Sequence, residues 1–187
     1  MKSVDYGIDG PVVLLNLIII GIMAFIFCLL AYYRLLPVGS EIASAIGIIC
    51  ILIMAFNLLC LLLSVWSSKI GKIKEAKRLL DSYDWRGDEK VLDVGCGRGL
   101  VLISAAKRLM TGKAVGVDIW DSRDQAGNHP ENTLRNARLE GVAERLEIQN
   151  SDARRLPFVN DTFDVVLSNK VFHNITHREE RKKAPCR

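Results

Sequence analysis

Nowhere do two of the five cysteines in this 187-residue chain stand in a C-x-x-C spacing. Cys28, Cys50 and Cys60 lie in long apolar runs, Cys96 in a glycine-rich turn and Cys186 in the tail. That distribution indicates neither a disulfide framework nor a zinc site, and it suits a reducing compartment. Histidine is also scarce, with 3 in the chain. His173 and His177 could share a helix face, but no third ligand has a matching spacing, so no metal is expected. Aromatics make up 7% of the residues and do not alternate with the lysines, and the net charge is only +4. A nucleic-acid partner is therefore not expected.

Charge is missing from two long stretches. Val12 to Tyr33 and Ile42 to Trp66 contain no charged side chain, and runs of about 22 and 25 residues are long enough to cross a hydrocarbon core of about 30 Å. Two transmembrane α-helices are expected, and these runs raise the apolar fraction to 50%. The connection Arg34-Leu-Leu-Pro-Val-Gly-Ser-Glu41 carries Pro37 and Gly39, so residues 1–68 read as a helical hairpin. A cleaved signal peptide fits less well, because the first run is too long, Lys2 is its only upstream basic residue and a second run follows. Asn16 and Asn57 are polar enough to seek a protein partner, and Ala43 with Gly47 permits close backbone approach between the helices.

Basic residues cluster on one side of this hairpin. Lys69, Lys72, Lys74, Lys77 and Arg78 follow the second run, whereas the connecting loop carries only Arg34. The positive-inside rule then predicts a two-pass integral membrane protein with both termini and the C-terminal domain in the cytoplasm. Ile70, Ile73, Ala76, Leu79, Leu80 and Tyr83 recur at helical spacing, which makes 69–83 an amphipathic basic linker helix. Its apolar face can dock on the following domain while its lysines meet anionic headgroups.

From Val91 onward the pattern changes to strand, turn and helix. Val91-Leu-Asp-Val-Gly-Cys-Gly-Arg-Gly99 reads as a buried strand entering a glycine-rich turn, with a helix from about Leu100 to Met110 behind it. A dinucleotide fingerprint requires its third glycine where this chain has Leu100, which weighs against a nicotinamide-dependent dehydrogenase. A second strand, Lys113-Ala-Val-Gly-Val-Asp118, ends in an acid about 20 residues after the glycines, the separation that places a carboxylate on ribose hydroxyls. Asp118 can alternatively cap a strand or helix. A third strand near Leu146 to Asn150 leads into Ser151-Asp152-Ala153, where Asp152 could simply form a turn. Val165-Val-Leu167 makes a fourth strand, and Glu131 to Gly141 a helix between the second and third. This alternation predicts a parallel sheet with helices on both faces.

Asp93 followed by Gly95, Gly97 and Gly99, then Asp118, Asp152 and the Leu156-Pro-Phe158 approach to the fourth strand, resembles the class I S-adenosylmethionine-dependent methyltransferases. The likeness is closest to the ubiquinone/menaquinone-biosynthesis type and covers roughly Asp84 to Ala184. It implies a Rossmann-like α/β fold with S-adenosyl-L-methionine as cofactor. By that resemblance Asp93 lies near the methionine amino group, and Gly95, Gly97 and Gly99 pass beside the methionine and ribose. Asp118 accepts from the ribose hydroxyls, and Asp152 with Ala153 meets the adenine. Asn169 would be a cofactor-side contact and His173 an acceptor-side base, with capping or packing equally open to both. No catalytic residue is assigned.

A complete domain of that family has seven strands, and residues 84–187 account for four, so a partial methyltransferase domain is expected. Two functions follow from this reading. One is a membrane-anchored methyltransferase acting on a small-molecule or lipid-like acceptor. The other is a truncated, catalytically incompetent form serving at most as a membrane-tethered binding module.

Overall fold

The structure, a computed structural model, describes residues 3–169 and Val171. Its internal contacts divide the chain into two units, Ile8–Lys69 and a second made of Met1–Gly7 with Ile70–Arg187. Ser3–Gly7 thus group with the C-terminal domain, whereas the sequence places them with the hairpin.

Unit Ile8–Lys69 is a pair of helices, α1 (Pro11–Tyr32) and α2 (Ser40–Trp66). Pro11 suits the first turn, where its missing N–H costs nothing, and the turn after α1 is closed by Arg34 in a left-handed conformation (φ 55°). The helices meet along small residues at a seven-residue recurrence: Ala24 and Ala31 on α1, and Ala43, Cys50 and Asn57 on α2, are buried. That period is the seam of helices crossing at a shallow angle. Gly21 lets the seam close, since a Cβ there would stand 3.2 Å from the Asn57 Oδ1. Two sequence expectations change here. Gly47 has open space beside it rather than a close backbone, and Asn16 is exposed while Asn57 is buried. Ser44 and Ser64 donate to the carbonyls one turn back, and Asp9 N–H donates to Ser68 Oγ across the open end.

A five-residue π-turn, Ser67–Gly71, is followed by α3 (Lys72–Asp81). Ala76 and Leu80 of α3 are buried in the main core, while Ile70 and Ile73 are exposed. Four parallel strands follow in the order β3-β2-β1-β4: β1 (Lys90–Val94), β2 (Lys113–Asp118), β3 (Leu146–Asn150) and β4 (Val165–Ser168). The register aligns Asp93 with Gly116 on one side and Leu167 on the other. Helices α4 (Leu100–Ala106) and α5 (Pro130–Leu139) join β1 to β2 and β2 to β3.

Among the described residues the helices of the second unit pack on one face of the sheet. Residues of α3, α4 and α5 pack together in the main core, against Val91, Ala114, Leu146 and Val165. The other face, with Leu92, Val94 and Val117, is covered among the described residues by Ala153, Leu156, Phe158 and Phe163 from the β3–β4 connection. Phe158 and Phe163 meet edge to face at 4.9 Å. Strand order explains this arrangement, because a right-handed crossover that reverses direction, from β3 over β2 and β1 to β4, must pass over the opposite face. Pro157 leaves that short connection non-helical. Helix α4 also ends earlier than Met110: the N–H groups of Met110, Thr111 and Gly112 all donate to the Gly87 carbonyl, which turns the chain into β2.

Candidate functional site

Strand order reverses beside β1, where the next strand in sequence, β2, lies on one side and β4 on the other. At such a switch point the loops leaving the carboxyl ends of the strands part and leave room for a ligand. The glycine-rich turn leaves β1 at this point. Gly95, Gly97 and Gly99 have φ of 73°, 50° and 87°, a region that other residues enter at a cost. Space matters as much as φ. A Cβ on Gly97 would lie 2.8 Å from Gln125 Oε1, and one on Gly99 would lie 2.9 Å from both Ile103 Cδ1 and Thr133 Cγ2. At Gly95 it would fall 2.1 Å from Val171 Cγ2.

Asp118 ends β2 and reaches this turn. Its Oδ2 accepts from Gly97 N–H at 2.8 Å, and its Oδ1 accepts from Trp120 N–H at 2.7 Å and from Asn128 Nδ2 at 3.2 Å. Three donors leave acceptor capacity on a carboxylate that can take about four. Thr133 Oγ1 donates to the Gly97 carbonyl at 2.7 Å, fixing the turn from the α5 side.

Asp93 is enclosed, being 1% exposed. Leu102 N–H donates to its carboxyl, while among the described residues Oδ2 is buried with no partner. Burial pushes its carboxyl up to about 7; the Leu102 N–H opposes the shift and the neighbouring Asp118 adds to it. Burial also raises the Cys96 thiol well above its ordinary range, assisted by Asp93 and Asp118, which leaves it an unreactive core group.

The remaining predicted residues lie at the same edge of the sheet. Ser151 N–H donates to the Asp118 carbonyl, bringing the β3 exit beside the β2 exit. Asp152 follows and accepts from its own turn at Arg154 N–H (2.9 Å) and from the Arg154 guanidinium, which holds its carboxyl below the usual range. The turn-forming alternative describes this geometry. Ala153 packs on the second face of the sheet. Asn169 is half-buried just past Ser168, whose Oγ donates to the Val94 carbonyl at 3.2 Å. His173 and His177 lie outside the described residues, and among those described no three potential metal ligands come together.

Sequence reasoning missed Arg98, Gln125, Asn128 and Asn136. Gln125 Oε1 accepts from Arg98 N–H at 2.9 Å, and Asn136 Nδ2 donates to the Arg98 carbonyl at 3.0 Å. Asn128 and Asn136 are buried, and only the polar character of the 119–129 loop hinted at any role.

A glycine-rich turn after a central strand, an acid ending the next strand and an adjacent reversal of strand order define a Rossmann-like cofactor-binding α/β domain. Residues 91–184, half of the chain, match the methyltransferase-domain family, and the chain belongs to it. It is similar to a ribosomal protein L11 methyltransferase of Enterobacter sp. (strain 638), 37% identical over 106 residues, 57% of this chain and 31% of that protein. It is also similar to a ubiquinone/menaquinone biosynthesis C-methyltransferase UbiE of Roseobacter denitrificans, 24% identical over 79% of this chain and 55% of the relative. Among solved structures, the [4+2]-cyclase SpnF shares the fold, with TM-score 0.50 and 20% identity over 60% of this chain and 38% of that one. The chain thus spans about a third to a half of the length of these proteins.

S-adenosylmethionine is the cofactor this family implies, and the residues fit it. The ligand brings a sulfonium and an ammonium cation together with ribose hydroxyls. The sheet edge presents the acids Asp118 and Asp152, spare acceptor capacity on Asp118 and, beneath the turn, the unpartnered Asp93 Oδ2.

Proposed function

We propose that this chain is the cofactor-binding part of a membrane-anchored S-adenosylmethionine-dependent methyltransferase acting on a small-molecule or lipid-like acceptor. The observation that carries this reading is the Asp118 carboxylate bonded to the glycine turn at the switch point. S-adenosylmethionine, when bound, supplies an electrophilic methyl group. The protein's own task is then to hold that group in line with an acceptor and exclude water. In this reading Asp118 takes the ribose hydroxyls, Gly95, Gly97 and Gly99 let backbone approach the ligand, and Asp93 offsets the ammonium charge. Asp152, once turned from Arg154, and Ala153 border the adenine, and Asn169 borders the transfer site.

Membrane anchoring has separate support. Both α1 and the stretch beginning with α2 are long and apolar enough to cross a bilayer, and their most apolar windows are only 6% buried, unlike the core helix of a soluble domain. The residues just before and just after the hairpin, up to Gly7 and from Ile70, belong to one folded unit. A two-pass hairpin accommodates that only with both flanks on one side of the membrane, and the lysine cluster favours the cytoplasmic side. An acceptor held at the bilayer follows from the anchor.

A membrane-tethered binding module is the second reading, favoured by the approach of Gln125 and Val171 to the positions where glycine leaves space. Incubating the full chain in bilayer nanodiscs with methyl-labelled S-adenosylmethionine and a membrane lipid extract separates the two. Label in the lipid fraction supports the methyltransferase reading. Cofactor binding without transfer favours the module, and transfer only to water-soluble acceptors contradicts the bilayer acceptor.

A further inference from the structure

The segment Ser3–Gly7, directly ahead of the apolar hairpin, is threaded into the polar network around the glycine turn. Arg98 is central to this. Its Nη2 donates to Asp5 Oδ2 at 3.0 Å and its Nη1 to the Ala126 carbonyl at 2.9 Å, with the side chain only 8% exposed. Gln125 grips both partners, accepting from Arg98 N–H and donating through Nε2 to the Tyr6 carbonyl at 3.1 Å. Asn136 repeats the pattern: its Nδ2 donates to the Asp5 and Arg98 carbonyls, while its Oδ1 accepts from Asp5 N–H at 3.4 Å. Lys72, the first residue of α3, donates to the Tyr6 and Gly7 carbonyls at 2.8 and 2.7 Å. The fit is close, since a Cβ on Gly7 (φ 70°) would stand 2.8 Å from both the Ala126 carbonyl oxygen and Arg98 Cδ.

Gln125 and Asn136 thus bond the strap and the 97–99 turn at once, and Arg98 reaches the strap from the turn itself, so neither can change conformation without unmaking bonds to the other. We propose that Ser3–Gly7 is a positioning strap for the cofactor turn, with Arg98, Gln125 and Asn136 as the positioning residues through which it acts. Detaching the strap loosens the turn and weakens cofactor binding; conversely, bound cofactor tightens the strap where it enters the membrane anchor. The cofactor half of this inference rests on the proposed function; the coupling of strap and turn does not.

Hydrogen exchange on the full chain in nanodiscs tests it without activity. In Gly7→Val and in Asp5→Ala the amides of Gly97 and Arg98 should exchange about tenfold faster, while those of β2 and β3 stay as in the wild type. Asp5→Glu should restore protection by keeping the charge pair. S-adenosylmethionine should bind about tenfold more weakly to Asp5→Ala, and it should slow exchange at Tyr6 and Gly7 in the wild type, as linkage requires. Turn exchange unchanged in both variants overturns the proposal. If Gly7→Val loosens the whole sheet, Asp5→Ala and its Glu rescue decide the matter. A wild-type chain that binds no S-adenosylmethionine overturns the cofactor reading, and the exchange comparison still decides the coupling.

Discussion

The hairpin and the cofactor unit are held together by opposite means. In the hairpin the backbone bonds close within each helix, and the helices touch through small side chains at a regular period, so much of the surface is indifferent to substitution. In the cofactor unit a turn of positive φ is held by side chains that arrive from distant parts of the chain, as in Asn136 with Asp5 across 131 residues. Regular packing tolerates change, whereas a converging polar network concentrates the cost of change at a few positions.

The largest expected difference concerns pH. Asp93 has a carboxyl raised by burial to about 7, above its ordinary 3.8, so its ionisation is disfavoured in the folded state. Below about pH 4 folded and unfolded forms are both protonated and the group costs nothing; as pH rises from about 4 to 7, stability falls by up to about 4 kcal/mol and then levels off. Asp93→Asn should remove that slope, seen as the difference between wild-type and variant denaturant midpoints across pH. The stretch from Ile42 to Trp66 has no charged group, and a hairpin-specific probe should show no such slope.

Glycine substitutions make the next contrast. A Cβ on Gly112 would fall 2.2 Å from the Glu89 carbonyl oxygen, where backbone must move. Gly112→Ala should destabilise the cofactor unit by about 3 kcal/mol, whereas Gly47→Ala, with nothing within 4 Å of the new carbon, should shift hairpin melting by less than about 0.5 kcal/mol. Thermal unfolding in detergent reads both. A smaller effect is expected at the one polar residue of the hairpin seam: Asn57→Ala should weaken helix association by about 0.6 kcal/mol, measured by energy transfer between labelled helices. A loss of several kcal/mol there would mean that the hairpin, too, depends on a polar centre.

What could be read from the sequence follows the same division. The apolar runs, the glycine turn and the acid ending β2 are local patterns, and strands β2 and β3 fall where the sequence reading places them. Gly47 was misjudged because spacing shows which residues share a face but not how near the other helix comes. The cover of the second sheet face by the β3–β4 connection was not legible because strand order, which decides which face a crossover uses, is not a local property. Arg98 looked like an arbitrary residue between two glycines. Its role depends on Asp5, 93 positions away, and on a loop glutamine with no periodic signature. Asp152 retained two readings at the sequence level, and its bond to Arg154 N–H describes the turn-forming one.

The central claim is that Asp118 and the glycine turn form a cofactor site, and calorimetric titration of S-adenosylmethionine into the full chain tests it most directly, beside Asp118→Ala and an NAD control. Saturable binding by the wild type, lost by at least about a hundredfold in Asp118→Ala and absent with NAD, is the predicted result. No binding by a folded wild-type chain, or equal affinity in the variant, would contradict the account.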